Sequence, residues 1–227
     1  MACDTYTKLM LHCNGTDAST TFTDDSASAK TVTAVGNAQL DTAQKKFGLS
    51  SGLFDGTGDY LTVPDHADFD FTAGFTIDMW VRFSSVGAYS GFVTSSAGIN
   101  DWNDIFFHHV DNKIEWQIEG NNHRWAWDPL VDTWYHLAFI RDDSNNLKIY
   151  VDGATLTLTN GTGTHSGTVA LGGTLWLAAS STLQMTGWID ELRISNTTRW
   201  TTTFTPPVVP HCLVPMLLTF FEDFLPA

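Results

Sequence analysis

Phe75-Thr76-Ile77-Asp78-Met79-Trp80-Val81-Arg82-Phe83 is the stretch whose reading decides the fold. Side chains of an extended chain alternate between two faces. Phe75, Ile77, Met79, Val81 and Phe83 therefore form one continuous apolar face, and Thr76, Asp78, Trp80 and Arg82 form the other. An apolar face backed by a polar one is what a layer of two stacked sheets presents. Trp80 thus points off the core, either as a platform for a sugar ring or beneath a loop or long side chain that covers it.

Working outward, similar short runs recur along the chain, near Lys8–Cys13, Tyr60–Val63, Lys113–Glu119, Trp134–Arg141, Leu147–Val151 and Trp188–Ser195. Clusters of Gly, Asn, Asp and Ser separate them, Asp111-Asn112 reads as a tight hairpin, and no segment sustains a helical period. Many short strands joined by turns predict an all-β chain, a two-sheet antiparallel sandwich or jelly roll.

Gly187-Trp188-Ile189-Asp190-Glu191-Leu192-Arg193-Ile194-Ser195 puts a carboxylate where the pattern calls for a hydrophobe. Strict alternation groups Trp188, Asp190, Leu192 and Ile194 on the apolar face, so Asp190 is expected to point inward. A dry, unpaired carboxylate costs roughly several kcal/mol, so it needs a partner. With 25 acidic residues against 11 Lys and Arg, a bound cation competes well with a basic side chain. Asp190 is therefore a candidate ligand for a structural Ca²⁺.

The 227 residues suffice for one large β domain with a substantial core, and 43% hydrophobic residues make it globular. A net charge of −14 argues against nucleic acid, which requires a basic footprint, and against an anionic membrane surface. Neutral sugars, cations and basic proteins fit it better. Of the three cysteines, Cys13 follows Leu9 and Leu11 in an apolar alternation and reads as a small core residue. Cys3 and Cys212 pair only if the two termini meet. Met1-Ala2-Cys3-Asp4 offers neither a charged nor an apolar leader, so no secretion signal is expected there.

Six segments, in order, carry a family likeness: Leu9–Cys13; Phe22-Thr23-Asp24-Asp25-Ser26; Gly52 to Leu61 with its Phe54-Asp55-Gly56-Thr57-Gly58-Asp59 turn; Phe75–Phe83; Thr133-Trp134-Tyr135-His136-Leu137-Ala138 with Ile149-Tyr150-Val151-Asp152-Gly153; and Ile189 to Ile194. Over about residues 7 to 207 the chain resembles the laminin G-like, concanavalin A-like lectin/glucanase jelly rolls of phage and bacterial surface proteins. The resemblance implies two antiparallel sheets, a concave ligand-facing surface and often one structural Ca²⁺. It adds Asn14, Asp17 and Asp24 to Asp190 as metal ligands, Asp24 and Asp190 being the firmer choices. It implies no single activity, because lectins, adhesion modules and glycosidases share the fold.

Glu115-Trp116-Gln117-Ile118-Glu119 is the enzyme-like feature. It resembles the Glu-x-Asp-x-Glu strand of jelly-roll glycosidases, in which Glu115 would be the nucleophile and Glu119 the acid/base acting on a β-glucan. Gln117 replaces the middle Asp, so a non-enzymatic reading is preferred and no catalytic residue is assigned. Glycan recognition has more material: Trp102, Trp125 and Trp127 lie in or near segments rich in Asn and Asp, with Asn121 and His123 alongside. Aromatic faces stack on sugar C–H surfaces while amides and imidazoles bond the hydroxyls; the alternative is that these indoles are core.

Residues 1–207 read as the jelly-roll domain and 208–227 as a C-terminal tail. Thr205-Pro206-Pro207-Val208-Val209-Pro210 is an extended closing stretch, and the apolar run from Cys212 to Phe221, interrupted by Pro215, is too short to span a bilayer. Such a tail belongs against its own domain or, preferably, against a neighbouring subunit as an assembly hook. The expectation is an adhesion or carbohydrate-recognition module, a decoration or fibre component at a virion or extracellular surface. Its expected partners are a glycan and other subunits of an oligomer or larger assembly, with no nucleic acid and no membrane.

Overall fold

The computed structural model describes residues 3–86, 89–95, 103–108, 112–180 and 183–212. Two eight-stranded antiparallel sheets face each other. The first runs in the order Ala154–Thr155, Leu147–Val151, Trp134–Arg141, Phe75–Phe83, Thr186–Ser195, Ser51–Asp55, Gln39–Asp41, and Thr7–Leu11 also pairs with Thr186–Ser195. The second runs Leu158–Asn160, Asn121–Ala126, Lys113–Ile118, Asn103–His108, Tyr89–Ser95, Leu175–Leu177, Tyr60–Val63, Thr33–Val35. This is the jelly-roll sandwich that the alternation predicts.

Between the sheets lies one apolar core. Phe75, Ile77, Met79, Val81 and Phe83 enter it from one side, and Ile114, Trp116, Ile118 and Leu175 from the other. Phe75 and Phe139 meet Trp116 edge-on at 5.9 and 6.1 Å. Burying each such side chain contributes about 1.5–3 kcal/mol, so this face sets the stability of the fold. Cys13 is buried here with a free thiol, as its alternation implied.

The opposite face of the first sheet is also dry, for a different reason. Residues 196–212 cross it as a strap. Thr76 Oγ1 donates to Thr197 O at 2.8 Å and accepts from Arg199 N at 3.0 Å. Trp200 and Phe204 stack at 4.0 Å over Ala138, Ile140 and Tyr150. Phe204 N donates to Gly153 O, and Gly153 must be glycine: φ is +77°, and a Cβ would meet Phe204 O at 1.7 Å. The strap ends where Cys212 forms a disulfide with Cys3, their Cα atoms 4.6 Å apart, so the two ends of the described chain meet. Because His211 is buried and Cys212 is bonded, the domain extends through 212, and a boundary after 207 falls inside its packed cover. Residues 213–227, the bulk of the supposed hook, lie outside the described residues.

Trp80 is covered rather than displayed. Lys46 Nζ lies 3.7 Å from its ring centroid and Phe47 meets it edge-on at 5.9 Å. No helix among the described residues is long and apolar enough to cross a membrane.

Candidate functional site

The strand Thr186–Ser195 corrects the reading of Asp190. Asp190 pairs with Trp80, but Arg193 pairs with Asp78, so one residue too many lies between the two rungs. That is a β-bulge, marked by φ = +52° at Glu191. The extra residue reverses the parity: Ile189, Leu192 and Ile194 enter the core, whereas Asp190 and Arg193 share the outer face with Trp80 and Asp78. Asp190 is wholly buried, yet beneath the loop 42–49 and not between the sheets.

Its partners are N–H groups. Oδ2 accepts from Lys46 N at 2.8 Å and Phe47 N at 3.0 Å, whereas Oδ1 meets no well-aligned donor among the described residues. Burial pushes the carboxyl up to about 7, with the charge of Glu191 adding to the rise and the two N–H groups opposing it. Asn14 and Asp17 hold the same loop: Asn14 Oδ1 accepts from Leu49 N at 2.8 Å, and Asp17 Oδ1 from Thr42 N at 3.0 Å and Thr42 Oγ1 at 3.1 Å. Asp24 works elsewhere, accepting from Met10 N, Ser26 N and Lys30 N at 2.8–2.9 Å. Asp17, Asp24 and Asp190 therefore do not converge as a ligand set. Each accepts from at least one backbone N–H, as loop-organising carboxylates do.

The sugar-stacking indoles are corrected as well. Trp125 pairs with core-facing Ile114 and is 2% exposed, because period-two alternation carries it between the sheets. Trp127 is also buried, 6.0 Å from Phe83 and 5.3 Å from Tyr135. Trp102 lies outside the described residues.

Asn121 and His123 fare differently. With Asn122, Asn145, Thr162, Thr164, His165 and Ser166 they line a cavity of about 640 Å³ where the 119–122 hairpin, the 142–146 turn and the 161–166 loop meet. Its walls offer amides, hydroxyls and imidazoles. Gly163 N donates to His123 Nδ1 at 3.2 Å, which leaves the proton of the neutral ring on Nε2. Burial, then the neighbouring His165, lowers the His123 pKa; burial also lowers that of His165, aided by Arg141 and opposed by Glu119. Arg141 Nη2 donates to Asn145 Oδ1 at 2.6 Å and fixes that amide. Sequence reading found Asn121 and His123 but missed Asn145, Thr162, Thr164, His165 and Ser166. They come from two distant turns, and their only local signal is a polar, Gly-rich composition.

The glycosidase pair comes apart. Glu115 is buried on its strand and bonded to Arg124 Nε at 2.5 Å. Glu119 has left the strand: its φ is +46°, and with Gly120 at +77° it forms the hairpin turn, half-exposed and 3.8 Å from His165 Nε2. The strand-face geometry needed for a carboxylate pair is missing.

The sequence model of the laminin G-type family in the concanavalin A-like lectin/glucanases superfamily matches residues 55–202. The chain belongs to this family. Among curated proteins no match is found. Solved structures of similar fold include the botulinum neurotoxin serotype D binding domain, at 13% identity and TM-score 0.64, covering 85% of this chain and 49% of that one. The receptor binding domain of the C/D mosaic serotype gives 14% and 0.65, covering 85% and 48%. A botulinum neurotoxin type C structure gives 16% and 0.59, covering 85% and 48%; cell entry of that toxin is described as dependent upon interaction with two ganglioside molecules. The chain spans about half the length of the structures it matches. The likeness is one of fold.

Proposed function

We propose that this laminin G-type domain is a non-catalytic glycan-recognition module and that its ligand occupies the cavity between Asn121, Asn145 and the 161–166 loop. The carrying observation is the lining: neutral imidazoles, carboxamides and hydroxyls in a concave site of sugar size, with no carboxylate pair set for hydrolysis. The described dependence of a structurally similar toxin on gangliosides supports the reading at the level of ligand class. The chain's acidity favours neutral sugar faces over nucleic acid. We further propose that the domain works as a decoration or fibre subunit at a virion or extracellular surface, attached through the residues after Cys212. A cross-link between the termini suits an oxidising exterior.

The test is a glycan array followed by calorimetry on the full chain. Asn121→Ala combined with Thr162→Ala should weaken the best ligand at least tenfold at unchanged melting temperature. Absence of any retained glycan at millimolar concentration, or an unaltered affinity in the double variant, would sink the reading. Reducing sugar released from a β-glucan and lost in Glu115→Gln would replace it with the hydrolase.

A further inference from the structure

Beneath the strap, three ligand atoms from three distant segments meet: a carboxylate oxygen of Asp78, Nε2 of His136 and Nε2 of His211, all within 4.8 Å of one another. Asp78 comes from the central strand, His136 from its neighbour Trp134–Arg141, and His211 from the strap. We propose that these three side chains bind one divalent transition-metal ion of the zinc class, which staples the strap to the sheet.

The first argument is geometric. A four-coordinate zinc with bonds of about 2.0–2.1 Å holds its ligand atoms roughly 3.4 Å apart. Here Asp78 Oδ2 lies 3.4 Å from His136 Nε2 and 2.9 Å from His211 Nε2. The second is directional. Nε2 of His211 and Nε2 of His136 both face the same oxygen, Asp78 Oδ2. Two imidazole nitrogens converging on one carboxylate oxygen are placed to share a metal ion with it.

The third argument is the surroundings. Arg193 donates to Asp78 Oδ1 from Nε and to Oδ2 from Nη2, each at 3.0 Å. A carboxylate oxygen accepts more than one bond, so Oδ2 keeps capacity for a metal while the guanidinium orients the group as an outer-sphere partner. Glu191 accepts from His211 N at 2.6 Å, and Asp152 Oδ1 from His136 N at 2.9 Å, so both histidine backbones are fixed. Trp80, Trp200 and Phe204 meet the His136 ring edge-on at 5.3, 5.6 and 5.7 Å, which sets the ring plane.

The fourth is charge. Asp78, Asp190 and Glu191 are all essentially inaccessible beneath this cover, with Arg193 among them. Arg193 pairs with Asp78 and His12 Nδ1 lies 2.8 Å from Glu191 Oε1, and a dication beside Asp78 would add to these countercharges. Two imidazoles and one carboxylate select zinc over calcium, which takes oxygen ligands. Three protein ligands leave one coordination position for a small ligand such as water.

The experiment is metal analysis of untagged, disulfide-intact chain incubated with zinc and dialysed. About one zinc per chain is expected, and its removal by dipicolinate should lower the melting temperature. His211→Ala should drop the content below about a tenth of an equivalent, with the disulfide intact, whereas His123→Ala should leave it unchanged. Wild-type chain that takes up no zinc, or a His211→Ala chain that keeps it, overturns the site. Should His211→Ala fail to fold, cobalt(II) added to wild type decides: four-coordinate visible absorption supports the site, and a six-coordinate spectrum overturns it.

Discussion

The two faces of Phe75–Phe83 are buried alike and held by opposite means. On the inner face, Phe75, Ile77, Met79, Val81 and Phe83 are at most 1% exposed, and their neighbours are apolar. On the outer face, Thr76, Asp78 and Trp80 are at most 4% exposed, and theirs include Arg193, His136 and His211. The inner face is stabilised by area removed from water, a non-directional quantity that tolerates repacking. The outer face depends on paired charges, for which losing one partner strands the other. Burial alone therefore does not tell which face is the core; the chemistry of what covers it does.

The largest effect expected from this contrast comes from Asp78→Ala, which leaves Arg193 buried without its carboxylate and should cost about 3–5 kcal/mol in urea melts. Met79→Ala, the adjacent inner residue, should cost about 2–5 kcal/mol. Its cost should not vary with pH, and a pH-dependent cost would break the distinction between the faces. Opening the Cys3–Cys212 disulfide is next. Cys3→Ser opens a link of sequence separation 209 and should remove about 2–5 kcal/mol. Proteolysis should then begin within residues 196–212 while the inter-sheet core stays protected.

A pH scan sharpens the comparison further. The Asp190 carboxyl stands near 7 in the folded chain against 3.8 ordinarily. Over that window the folded state keeps a proton that the unfolded state has lost, so this group's contribution is full below about pH 3.8 and is lost as pH rises through 7. Asp190→Asn, which retains an oxygen for Lys46 N and Phe47 N, should flatten that descent in melts taken from pH 4 to 8. An unchanged slope would remove Asp190 as its source. The smallest effect is expected from Trp80→Phe: its buried Nε1 has no partner to lose, so melting should move by about 1 kcal/mol or less.

Much of the fold was legible because alternation is local. The inner residues of 75–83 and the core placement of Cys13 follow from period two and hydrophobicity; for Trp80 alternation gave only the outward face, and the structure supplied the cover of Lys46 and Phe47. The candidate site was legible only in part. Asn121 and His123 line the cavity, but Trp125 and Trp127 are core, because residues two apart on a strand share a face whatever their chemistry suggests. Asp190 was rightly singled out as a carboxylate needing a partner. The bulge at Glu191 then changed its face, and the loop 42–49 supplied N–H donors to its Oδ2.

By itself the sequence determined a two-sheet sandwich and the family to which it belongs, since strand periodicity and turn chemistry are written within a few residues of each other. Only the tertiary structure decided which face of the first sheet is apolar core and which is a charged interior under a strap. That outcome turns on one extra residue in a strand, and on a disulfide and a histidine contributed from the far end of the chain. Contacts between residues so far apart leave no periodic trace, because loop closure is indifferent to the sequence it encloses.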